Sequence, residues 1–290
     1  MKALKKVLLG VLSLACVVTA SVGLTACNNA GGTTQEQEST SGTTQEQEST
    51  SETTQEQEST SETTEEQEGT DGLEYYPVPD GYAVDQGDAM YLEEIVIPST
   101  YKGKVVTALV DNAFSGAKVK SITIPDSVTS IGSSAFQSCS SLTSVVIPDG
   151  VTSIGNQAFY NCSSLTSVVI PDSVTSIDYQ AFSSCSSLTS VVIGDSVMSI
   201  GDFAFENCSS LTSVVIPDSV TSIGNAVFSS CSSLTRVYYK GSASDWNNVY
   251  IYSLGNNYLT NATRYYYSES QPTESGNYWH YDENGEVAVC

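Results

Sequence analysis

Five phenylalanines, Phe136, Phe159, Phe182, Phe205 and Phe228, stand 23 residues apart, and the letters between them are nearly the same each time. Phe114 lies one residue short of that register. Each unit approximates L-x-x-V-x-I-P-D-x-V-x-x-I-G-x-x-A-F-x-x-C, as in Leu142, Val145, Ile147, Pro148, Asp149, Val151, Ile154, Gly155, Ala158, Phe159 and Cys162. Single departures, Asp178 for glycine and Gly194 for proline, leave the frame intact. The V-x-I core alternates with period two, as a short strand does, and the proline after it stops the ladder. One such unit is too small to bury a core alone. Stacked copies succeed, because each lays its Leu, Ile, Phe and Ala on the same residue of its neighbour. The expected fold is therefore a repeat solenoid, mainly β with short helical or 3-10 turns.

Residues 92–240, with SLTSVVIPDSVTSIG followed by AF and Cys at fixed offsets, resemble BspA-like leucine-rich repeats. The resemblance implies a right-handed solenoid on the surface or in the secretions of bacteria, with adhesion or contact with host and matrix proposed for some members. The first copy departs from the pattern, since Pro98 and Pro125 are 27 residues apart. The extra letters, around IPSTYKGKVVTALV, predict a hairpin turning at Lys102 to Lys104. Residues 73–117 are thus expected as an N-terminal cap with an irregular first repeat, and 118–240 as the solenoid.

Ahead of the repeats, Lys2, Lys5 and Lys6 precede an apolar run over residues 7–18, the pattern of an export signal spanning 1–26. The ending Leu24-Thr25-Ala26-Cys27 resembles the bacterial lipobox, which implies cleavage before Cys27 and a lipid (palmitate-type) anchor on it; an ordinary signal peptide or a membrane helix is the alternative. From Thr33 four acidic decapeptides, the first TTQEQESTSG, run to Gly72 with no apolar side chain beyond threonine methyls. Residues 27–72 therefore read as a disordered spacer, a ligand-binding or glycosylated tail being the other possibility. About 45 such residues span roughly 35 to 40 Å on average and about 150 Å at full stretch.

Three columns of the repeat invite chemistry. Cys139, Cys162, Cys185, Cys208 and Cys231 are expected as buried apolar thiols; disulfides or a metal are alternatives. Stacked side chains run parallel and do not aim at one another, and zinc would need converging ligands where the chain has one histidine, His280. Asp126, Asp149, Asp172, Asp195 and Asp218 suit turns, with calcium along the stack as the alternative. If the V-x-I apolar pair points in, an outward strip follows, comprising Glu94, Thr123, Ser144, Val146, Ser167, Val169, Ser190, Val192, Ser213, Val215, Arg236 and Tyr238. Small residues with a valine stripe mark either a contact surface or mere strand preference.

Residues 241–290 hold no repeat. Ten of the 17 tyrosines fall between Tyr238 and Tyr281, and Ser244 before Asp245 and Trp246 predicts a helix cap. The segment is expected to close the end of the stack. Its NYWHYDENGEV stretch, with Asn284 and Gly285 at a turn, also makes Tyr278, Trp279 and Tyr281 candidates for ligand or wall contact. With 33 acidic against 10 basic residues, a net charge of -23, nucleic acid is excluded as a partner and membrane contact is expected through the lipid alone. One imidazole and acids that recur only by repetition give no catalytic constellation, no cofactor and no metal site. The expected function is surface-tethered binding of a protein or glycan on host, matrix or neighbouring cells; a structural stalk without a ligand is the alternative.

Overall fold

The computed structural model describes residues 69–269 and 276–289. The leader, Cys27, the spacer up to residue 68 and Cys290 lie outside the described residues.

The repeats coil into a β-solenoid held by two ladders of parallel strands. The first is the expected one. It comes in two pieces, Glu94–Val96, Ser121–Thr123 and Ser144–Val145 in one, and Ser167–Val169, Ser190–Val192, Ser213–Ile216, Arg236–Tyr239 and Thr263–Tyr267 in the other, with the Thr166 N–H bonded to the Thr143 carbonyl at the step between them. Register is kept letter by letter, Val168 on Val191, Val191 on Val214 and Val214 on Val237. The second ladder falls on the T-S-I letters of each unit, Ser130–Ile131, Ser153–Ile154, Ser176–Ile177, Ser199–Ile200 and Ser222–Ile223. Two residues are too short to show a period, so these strands are invisible to an alternation argument.

Between the ladders the chain turns at A-F, and the turn is a third column of bonds. Phe136, Phe159 and Phe182 donate their N–H groups to the carbonyls of Ala158, Ala181 and Ala204 in the next coil, at 2.7, 2.8 and 2.8 Å. Two left-handed residues per coil aim these groups, for example Ser134 and Ser138, Gln157 and Asn161, and Gln180 and Ser184. At Gly155 the glycine before the turn permits close approach, since a Cβ there would lie 2.6 Å from the Ser133 nitrogen. Asp178 occupies that column half-buried, accepting from the Ser176 hydroxyl at 3.2 Å.

Inside, the phenylalanine rings lie in series with centroids 5.5, 5.0, 5.1, 5.4 and 5.5 Å apart from Phe114 to Phe228 and ring planes within 14° of parallel. All six are fully buried, as are the Leu, Ile and Ala columns beside them. Each buried ring contributes about 1.5–3 kcal/mol by leaving water.

At the N-terminal side Thr100–Tyr101 and Lys104–Leu109 pair antiparallel around Lys102 and Gly103, both left-handed, so the expected hairpin forms. Ladder bonding starts earlier than residue 73: the Thr70 N–H reaches the Val96 carbonyl at 2.9 Å, and its hydroxyl accepts from the Val96 N–H at 2.7 Å. Glu74–Val78 and Gly81–Asp85 then extend the second ladder. At the other end the repeat stops but the coil continues. Tyr250–Ile251 joins the second ladder on Ser222–Ile223, and Thr263–Tyr267 joins the first on Arg236–Tyr239. An antiparallel hairpin, Tyr278–Tyr281 with Val287–Val289, completes the first ladder. The helix before Tyr250 is a single turn, Ala243–Trp246, so its cap is Ser242 and not Ser244. The Ser242 hydroxyl accepts from the Asp245 N–H at 3.2 Å while the Asp245 carboxylate accepts from the Ser242 N–H at 3.0 Å.

Candidate functional site

The outer face of the first ladder is the strip expected from the alternation, but its two ends differ. Glu94, Thr123, Ser190 and Arg236 are exposed, and Ser144, Ser167, Ser213, Val169 and Val192 are half-buried. Val146 stands 50% exposed. Val215 and Tyr238, however, are only 4% and 5% exposed, so these two are not available at the surface. The C-terminal hairpin lies over them. Trp279 forms a second apolar cluster with Val215 and Tyr238, against which Val192, Tyr265, Tyr267 and Tyr281 pack. The open strip therefore ends near Val192.

Of the aromatic candidates, Trp279 is corrected by the same packing. Trp279 is fully buried, its Nε1 donating to the Tyr239 carbonyl at 3.0 Å, and its ring lies 5.6 Å from Tyr238 and 5.0 Å from Tyr281. Tyr278 and Tyr281 are half-buried. Pairing with Tyr266 and Tyr267 turns the indole onto the strip, so Trp279 fastens the hairpin instead of facing a ligand. Lys240 completes the fastening. Its ammonium pairs with Asp195, 45 residues back, and lies 5.8 Å from the Tyr281 ring centre. Burial works against its charge, but the bond to Asp195, with Tyr281 and Asp172 nearby, outweighs it and raises the lysine above its ordinary value.

The five column cysteines are free and buried. Each thiol donates to a phenylalanine carbonyl of the preceding coil, Cys139 to Phe114 at 2.9 Å and Cys162 to Phe136 at 3.1 Å among them. Burial pushes Cys139 and Cys231 up from 9.0 to about 12. Cys162, Cys185 and Cys208 rise well above 9.0 for the same reason. Thiols buried and held protonated in this way pack as small apolar groups.

The aspartates after the first ladder are exposed at their turns, and the Asp172 carboxylate accepts the Asp195 N–H of the next coil at 2.8 Å. A second acid and amide column, missed in the sequence, does the same beside the second ladder. Asp111 accepts from the Ser133 N–H at 2.7 Å, Asn156 from Tyr179 at 3.2 Å and Asp202 from Asn225 at 2.7 Å. These side chains bond coil to coil. Among the described residues no group of three or more His, Cys, Asp or Glu is placed to hold a metal ion.

Residues 107–235 match the BspA type leucine-rich repeat region in six copies. A leucine-rich repeat protein of T. pallidum with a solved crystal structure is similar, at 32% identity and a TM-score of 0.55, covering 58% of this chain and 83% of that one. A leucine-rich cell surface protein of Faecalibacterium prausnitzii is 28% identical with a TM-score of 0.47, covering 76% of this chain and 59% of that one. Among curated proteins there is no match. The chain belongs to the BspA-type leucine-rich repeat family.

Proposed function

We propose that this protein is a binding protein tethered to the cell surface, which recognises a protein or glycan through the open part of the outer strip. Export by the leader, acylation of Cys27 and an acidic spacer would carry the solenoid clear of the membrane. The observation that carries the reading is the open run from Thr123 to Val192, a face of short side chains with Val146 half in solvent. Flat ladders of this kind offer a broad, shallow contact with little side-chain entropy to lose. Catalysis is not part of the reading, and nothing in it calls for a cofactor.

The test replaces Val146 and Val169 together with lysine and measures attachment of the full chain to matrix proteins and a glycan array. Attachment is expected to fall at least tenfold with circular dichroism and melting unchanged. Attachment retained in that variant would remove the strip and favour a stalk without a ligand. Cys27→Ala is expected to move the protein from the membrane fraction to the soluble one, and unchanged partitioning would defeat the anchor.

A further inference from the structure

The covered end of the strip displays what this surface accepts. Over Val215 and Tyr238 the chain has laid an indole, Trp279, whose N–H finds the carbonyl at the strand end. Beside it lies a second aromatic ring, Tyr281, and facing that ring is an ammonium of the solenoid itself, Lys240, the residue after the strand Arg236–Tyr239, paired with Asp195 of the turn column. Three features of the face are thus used at once: valine methyls under a ring, a strand-end carbonyl, and an aspartate at the edge.

The open coils repeat the valines and the aspartates. Val169 and Val192 stand in the same register as Val215, and Val146 holds the same place one coil earlier. Asp126, Asp149 and Asp172 precede Asp195 in the same column, each exposed. Residues 121–235 contain eight acids and no lysine or arginine, so an acidic partner would be repelled along the entire open run.

We infer that the open coils bind a polypeptide segment of a partner protein that carries a tryptophan or tyrosine ring close to a lysine or arginine. Continuity with the hairpin's own seat decides the ring, which lies on Val146 and Val169, and the acidic run decides the cation, which reaches Asp149 or Asp172 as Lys240 reaches Asp195. This inference rests on the strip being the contact face.

The experiment selects a randomised dodecapeptide library against the full chain, then measures the enriched peptides on three variants. The expected result is enrichment of Trp or Tyr within three residues of Lys or Arg. Affinity should fall at least tenfold in Val146→Ser/Val169→Ser and at least fivefold in Asp149→Asn/Asp172→Asn. Both variants should melt like the parent. Peptides without the aromatic–cationic pair, or no enrichment, would overturn the inference. If binding of such peptides, or of arrayed glycans, is still lost in Val146→Lys/Val169→Lys, the strip survives as the contact face and only the partner class is wrong. Aromatic–cationic peptides that ignore all three variants would sink both.

Discussion

Each column of the solenoid sets one residue the same problem in every coil, and the cysteines answer theirs by staying protonated. Their carbonyl partners and burial predict that iodoacetamide at pH 8 leaves Cys139, Cys162, Cys185, Cys208 and Cys231 unmodified in the native protein and labels all five once it is unfolded, as peptide mapping will show. The folded thiols titrate higher than unfolded ones. Below pH 9 both states are protonated and the thiols add no pH dependence. Above it the unfolded chain loses protons first, so stability should fall between pH 9 and 12, by up to about 1.4 kcal/mol per thiol per pH unit. The left-handed corners make a second residue-scale prediction. Ser184 and Ser230 sit at φ of 64° and 59°, where an L side chain is strained. Ser184→Gly and Ser230→Gly should each stabilise by about 0.5–1 kcal/mol in denaturant titration, the relief of strain exceeding the added freedom of the unfolded chain. The left-handed positions were not legible in the sequence, because Ser, Gln, Asn, Phe and Ala occupy most of them and glycine marks the conformation in the first coil alone, at Gly116.

Among the elements, the C-terminal hairpin has its own fastening and should respond on its own. Trp279→Ala removes a fully buried indole and its bond to Tyr239, a loss of about 3–5 kcal/mol to the docking of that element. Hydrogen exchange of the Tyr278–Tyr281 amides should rise by orders of magnitude while the Phe182 and Phe205 amides keep their protection; equal loss in both places would show that the hairpin and the coils unfold as one. The first ladder could be anticipated because the V-x-I core alternates with period two and proline follows it in most units. The hairpin turn at Asn284 and Gly285 was legible for a similar reason, local letters dictating a local bend. Where the hairpin docks was not legible. Val215 and Val146 occupy identical repeat positions, and only the neighbour brought in from Trp279 buries one and leaves the other in water.

For the whole molecule, stability should be close to a sum over coils and their interfaces. Phe182→Ala takes one ring from the middle of the stack and should cost about 3–5 kcal/mol. That loss acts on both neighbours, Phe159 and Phe205, whereas removing Phe114 at the end of the row disturbs a single ring contact. The solenoid itself was legible from the 23-residue recurrence, since identical letters in register leave stacking as the way to bury them. Its continuation past Lys240 was not, because Tyr250–Ile251 and Thr263–Tyr267 join the ladders through backbone bonds that tolerate unlike side chains. Strip, hairpin seat and partner class all depend on even stacking of the coils. The most direct test is dipolar spectroscopy on nitroxides placed at exposed Thr129 paired with Thr175 and, separately, with Thr221. Two and four coils at a strand spacing of about 4.8 Å predict backbone separations near 10 and 19 Å, the second about twice the first. A separation that fails to grow with the number of coils would contradict the stack and everything built on it.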